Sequence, residues 1–257
     1  MRVHEANIET KINNNYGGHE KELRDFKKNF YCPMVKKVEA LDLGKGLSEF
    51  ERLTDILNKY REQLHDFAQK YDVKAQSKFE SSFLEEISYY LFYRLEIIKS
   101  KRLSIFNKGI YAGLKINEDL SIDVIKKDVD FCIGKKVEVT IENQSPITLI
   151  IPAISVEVKT YLDATMFGEI KSSSKTIKSA TPNSRAYVLI GYKCIADEHI
   201  FAARQDATLD EIFVLQRQEG DKIDTNTLYA YYKEIEQALL SLATPPVITV
   251  PGRLLNN

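Results

Sequence analysis

Residues 147–163 read Ile-Thr-Leu-Ile-Ile-Pro-Ala-Ile-Ser-Val-Glu-Val-Lys-Thr-Tyr-Leu-Asp, an apolar run that ends in two ionisable side chains, Glu157 and Lys159. A run this apolar predicts a strand buried on both faces. Side chains two apart on a strand point the same way, so Glu157 and Lys159 share one face while Val156 and Val158 share the other. Burying a carboxylate and an ammonium costs several kcal/mol unless they are paired or bound to something. A structural ion pair satisfies that requirement, and so does a functional site.

Upstream, residues 128–134 read Asp-Val-Asp-Phe-Cys-Ile-Gly. Asp128, Asp130 and Cys132 fall on one strand face, and Val129, Phe131 and Ile133 on the other. An acid, a gap and then Glu-x-Lys, all on strands, offer oxygen ligands of the kind Mg²⁺ takes, one or two carboxylates completed by waters and substrate phosphate oxygens. A lysine beside such an ion can hold or deprotonate a water. The set describes a site for metal-assisted hydrolysis of a phosphodiester.

Asp130 followed by Phe-Cys-Ile-Gly, then Glu157-Val158-Lys159 on the next long apolar strand, resembles the PD-(D/E)xK nuclease superfamily. The run Glu-Val-Lys-Thr-Tyr-Leu-Asp-Ala-Thr-Met over 157–166, followed by a Lys/Ser-rich stretch and a strand, is similar to type II restriction endonucleases in particular. Lys127 stands where the superfamily often has proline before its aspartate, so Asp128 and Asp130 both remain candidate ligands. Asp130 is preferred because the apolar residues and glycine after it match better. The resemblance implies Asp130 and Glu157 as ligands for Mg²⁺, with Mn²⁺ able to substitute, and Lys159 as the group that orients or activates the water. It also implies sequence-specific cleavage of double-stranded DNA leaving 5′-phosphate ends. Phe79-Glu80 looks like the start of the first helix of many such nucleases, whose glutamate assists the metal, which makes Glu80 the candidate further acid. One chain carries one such set while duplex cleavage needs two cuts, so a homodimer or a heterodimer with a related subunit is expected. A cognate DNA methyltransferase in the same system is expected too. The competing readings are another nuclease of this superfamily, acting in repair or on modified DNA, and a non-catalytic DNA-binding protein on the same scaffold.

The resemblance implies an α/β fold, a central mixed sheet flanked by helices. Residues 1–76 are expected to form a helical N-terminal region and 77–257 the nuclease core with a C-terminal helix. Ser48-x-x-Glu51 and Ser77-x-x-Glu80 read as capping boxes. They would open helices running to about Tyr71 and to about Ile98, with a further short helix over about Glu20 to Phe30. On the helix after Ser77, Phe79, Phe83, Ile87, Tyr90, Leu91 and Ile98 define the apolar face. Glu80 lies inside that face, Glu86 at its edge, and Glu85 points away. Strands are expected over 110–115, 120–125, 129–133, 137–141, 147–159 and 185–192, with a turn at Gly134-Lys135-Lys136. Helices are expected over about 164–180 and 225–242.

With 257 residues, 44% hydrophobic and a net charge of −1, the chain supports a sizeable core but does not advertise a nucleic-acid binder. A basic patch must then be local. Lys171, Lys175 and Lys178 supply one, spaced four and three apart on one helix side. Thr160 and Tyr161 directly follow the candidate catalytic strand, and with Arg185 they complete the expected DNA-contacting set. The three cysteines and four histidines show no metal spacing. No apolar run is long enough to span a membrane and no signal peptide is visible, so the cytoplasm is the expected compartment.

Overall fold

The computed structural model describes residues 2–140, 145–205 and 207–243. A five-stranded mixed sheet organises the fold, in the order β1-β4-β5-β6-β7. Its strands are β1 (Ser104–Phe106), β4 (Phe131–Val139), β5 (Ile147–Leu162), β6 (Arg185–Lys193) and β7 (Glu211–Val214), while β2 (Ile110–Ile116) and β3 (Ile122–Lys127) form a separate antiparallel hairpin. β4 runs antiparallel to β1 and β5, whereas β5, β6 and β7 run parallel. The parallel pair β5–β6 is joined by α7 (Ala164–Ala180), the helical crossover that parallel neighbours require. Asp163 opens α7 by accepting from the Met166 backbone N–H at 2.8 Å.

β4 departs from the expected pattern. It runs straight through Gly134-Lys135-Lys136, so the turn expected there is absent and the strands expected at 129–133 and 137–141 are one element. The reason is a bulge. The register slips between Ile133 and Gly134, opposite Pro152, and a Cβ at residue 134 would meet the Ile151 carbonyl oxygen at 2.5 Å. The glycine and the proline that read as turn signals serve a bulge inside paired strands. Residues 141–144, part of the expected β4–β5 link and the end of the strand expected at 137–141, lie outside the described residues.

The helices are α1 (Val3–Asn13), α2 (Glu20–Phe26), α3 (Cys32–Glu39), α4 (Leu47–Lys70), α5 (Ser81–Phe92), α6 (Glu96–Ser100), α8 (Asp197–Gln205) and α9 (Thr225–Ala243). Neither serine capping box forms. α4 starts at Leu47 behind Gly46, and Glu49 turns back to accept from the Asp42 N–H at 3.1 Å. α5 starts only at Ser81, because Lys78 adopts a left-handed φ of 57°. α1 had no sequence signal: it buries His4 and Lys11 along with Ile8 and Ile12, so its inner stripe is half polar.

One apolar cluster runs from Ile8 to Leu239 and joins the N-terminal helices, α5 and α9 to one face of the sheet through Phe131, Ile133, Val156, Val158 and Leu189. α4 and α9 meet through Phe50 against Tyr229 and Tyr232 and through a Thr54–Thr225 hydroxyl pair at 2.7 Å. The opposite sheet face packs Val188 and Ile190 on Phe167 and Ile170 of α7. Among the described residues no helix is long and apolar enough to cross a membrane.

Candidate active site

β4 and β5 carry the site. Val156 and Val158 point into the helical core, which sends Glu157 and Lys159 to the other side of the strand. There they stand beside Val188 and Ile190, their partners in register on β6. Asp130 immediately precedes β4. Its Oδ2 accepts from the Val158 backbone N–H at 2.8 Å and from the Lys159 ammonium at 2.9 Å. Lys159 also donates to Glu157 Oε2 at 3.2 Å. Side chains from the residue before β4 and from β5 therefore converge on one ammonium, and the two acids remain 17% and 16% exposed. Asp128 is engaged elsewhere: it accepts from the Gly109 N–H at 2.9 Å and closes the turn between β1 and β2.

The strand after Lys159 is held close. Thr160 lies opposite Gly191 on β6, where a Cβ would sit 2.2 Å from the Thr160 carbonyl oxygen. Only glycine lets β6 approach there, so residue 191 bears directly on where Lys159 sits.

The electrostatics are those of crowded acids. Burial and then the neighbouring Asp130 charge push Glu157 up to about 7. Burial works to lower the Lys159 ammonium, but Asp130 and Glu157 outweigh it and hold it above its ordinary value. Lys159 is therefore a firmly charged cation in the protein by itself.

α5 brings a third acid. Glu85 is 9% exposed, shares a cleft with Asp130, and is pushed up to about 7 by burial and then by the Asp130 charge. Helical spacing points Glu85 away from the site and Glu80 toward it. Glu80 instead precedes α5, bonds His65 Nδ1 at 3.0 Å, and lines a different cavity with Arg61, Thr160 and Tyr192. Helical periodicity could not separate the two acids, because α5 is buried nearly all round, at Ser82 through Ser88 and Tyr90 through Phe92. The next residue, Glu86, is wholly buried and structural. It accepts from the His4 and Glu5 backbone N–H groups at 2.7 and 3.1 Å and from the Tyr31 and Tyr90 hydroxyls.

Among the described residues no group of three or more His, Cys, Asp and Glu side chains is gathered closely enough to hold a metal ion. The donor set nonetheless suits a hard divalent cation. Asp130 and Glu157 offer carboxylate oxygens within reach of one point, now held by Lys159, and burial together with the Asp130 charge raises Glu157 and Glu85, a repulsion such an ion would relieve.

Of the expected DNA contacts, Lys178 and Arg185 are both tied to Asp210, at 2.7 and 2.8 Å. That cluster fastens α7 and β6 to the start of β7. Lys171 lies over the Phe167 ring at 5.9 Å, and Lys175 is exposed. Tyr161 packs beside Tyr192 at 6.0 Å between ring centroids.

A family model described as Bpu10I restriction endonuclease matches residues 76–239. Among solved structures, a chain described as "native BbvCI A2B2 tetramer at low resolution" is similar in fold, with a TM-score of 0.74 and 18% identity, over 95% of this chain and 97% of that one. No curated protein matches the sequence.

Proposed function

The chain belongs to the Bpu10I restriction endonuclease family and is a type II restriction endonuclease; from that premise we propose that it hydrolyses phosphodiester bonds of double-stranded DNA at the Asp130–Glu157–Lys159 centre, sequence-specifically, leaving 5′-phosphate ends. The observation that supports this most is the convergence of Asp130, just before β4, and Glu157, on β5, on the Lys159 ammonium.

Asp130 and Glu157, with Glu85 as the third acid in place of Glu80, would hold Mg²⁺ or Mn²⁺, which supplies positive charge to polarise the scissile phosphate and to acidify a water. Lys159 is charged in the protein without metal, because the acids outweigh its burial. Its proposed role is to orient or activate the attacking water and to stabilise the charge that builds on the phosphate oxygens in the pentavalent transition state. The Val158 N–H donates to the same Asp130 oxygen that Lys159 contacts, which fixes the carboxylate's orientation. Thr160, Tyr161, Lys171 and Lys175 are the proposed contacts to the DNA, while Lys178 and Arg185 hold Asp210.

A single set of acids cuts one strand. The enzyme works with a second copy or with a related subunit, in the cytoplasm, beside a methyltransferase that protects the same site. Incubating the purified chain, alone and with any related subunit encoded beside it, with plasmid DNA and Mg²⁺ tests the reading. Discrete fragments whose ends religate without added kinase support it. Uncut plasmid under every metal and subunit combination overturns it.

A further inference from the structure

On the side of the acids formed by α1 and the turn before α5 lies a cleft of about 410 Å³, lined by Asn7, Thr10, Lys78, Glu85, Lys108 and Asp130 among others. The two lysines come from different parts of the chain, Lys78 from the turn between α4 and α5 and Lys108 from the turn between β1 and β2. Both act on Glu85 through their charge, yet among the described residues neither makes an ion pair. The same cleft holds the carboxylates of Glu85, Asp128 and Asp130, and Asp128 is already engaged by the Gly109 N–H.

Lys78 also stands in a left-handed backbone conformation, as do Asn15, Asp72, Arg102, Leu120 and Ala207. Its φ of 57° is a conformation that is costly for any side chain with a Cβ and that glycine adopts freely. The backbone is held there from α1: the Ser77 carbonyl accepts from Asn7 Nδ2 at 3.0 Å and from Lys11 Nζ at 2.7 Å. A long cation occupies a strained, firmly anchored position at the mouth of a cleft that opens onto the acids. Asn7 adds a buried side-chain oxygen with no hydrogen-bond partner, beside the same turn.

Resting on the nuclease reading, we propose that Lys78 and Lys108 form a subsite for the DNA backbone phosphate next to the scissile one, on the strand being cut. The subsite sets the strand's position along the cleft, so that the neighbouring phosphate falls between the acids and Lys159. Its chemistry is that of a phosphodiester anion, carries no base preference, and depends on salt.

The test uses the full chain, with its partner subunit where one is required, and a duplex fragment that the wild type cuts. Binding is followed by fluorescence anisotropy with Ca²⁺ in place of Mg²⁺ across a range of KCl. K78N, which tolerates the left-handed backbone, is combined with K108Q. The expected result is weaker binding and a loss of about 0.9 in the slope of log K against log salt, as for one phosphate contact. K78G serves as the folding control. It removes the strain, so its Tm stays level or rises while its affinity still falls. An unchanged slope overturns the subsite, and an unchanged slope with an altered Ca²⁺ requirement assigns the lysines to the acids alone. A wild type that cuts no duplex removes the premise and the subsite with it; a wild type that cuts, alongside variants with unaltered slope, removes the subsite only.

Discussion

Glu85 and Glu86 are neighbours on α5 and meet opposite surroundings. Glu86 is wholly buried, and its two oxygens receive two backbone N–H groups from the start of α1 and two tyrosine hydroxyls. Glu85 looks into a cleft beside Asp130, and burial with that like charge raises it to about 7. A carboxylate surrounded by donors contributes to the fold. A carboxylate held beside another acid contributes to the fold only while it keeps its proton, and it marks a place where stability gives way to chemistry. The same helix thus clamps α1 with one residue and, on the proposed nuclease reading, offers the next to the reaction centre.

The difference can be broken first at the reaction centre. Lys159→Ala removes a positioned charge from the transition state, so the cleavage rate should fall by about 10²–10⁴ while site binding survives. Plasmid cleavage and a gel-shift assay measured side by side check this. A variant that still cuts at the wild-type rate would move the chemistry away from β5. Next in size, Glu86→Ala leaves four donors without an acceptor in the core and should destabilise the fold on the order of 3 kcal/mol. Urea denaturation reads that loss, and the folded fraction should still cleave. Glu85→Gln should do the reverse, leaving the urea midpoint level or higher and raising the Mg²⁺ needed for half-maximal cleavage about tenfold. If the two variants behaved alike, the division of labour on α5 would be wrong.

A further test concerns pH. In the protein without metal, Glu157 and Glu85 both rise from about 4.5 to about 7, so each binds its proton more tightly folded than unfolded. Their contribution to stability is therefore fully present below the ordinary carboxylate value and is lost as pH climbs through about 7. Melting curves without metal should fall between about pH 5 and pH 8. Mg²⁺ should raise the Tm more at the alkaline end, where the acids are already deprotonated. A Mg²⁺ response independent of pH would count against these acids as its ligands.

What could be read in the sequence and what could not follow from the same geometry. A strand alternates with a period of two whatever surrounds it, so Val156-Glu157-Val158-Lys159 disclosed which side chains share a face, and the long, well-separated helices α7 and α9 lie where their patterns put them. Glu85 was hidden because α5 has no solvent side from which to measure a helical phase. Gly134 misled because a bulge and a turn draw on the same residues; only the approach of the Ile151 carbonyl tells them apart. Lys178 and Arg185 looked like a phosphate-tracking surface because Asp210, which holds both, comes much later in the sequence.

The packing of α4 on α9 has a consequence for how the chain is made. Phe50, at the start of α4, is synthesised before the sheet, and Tyr229 and Tyr232, which pack on it, follow only after the whole sheet has been made. Until then the Phe50 end of α4 stays open to chaperones or to a neighbouring nascent chain, and a polypeptide cut short before Tyr229 would present it permanently.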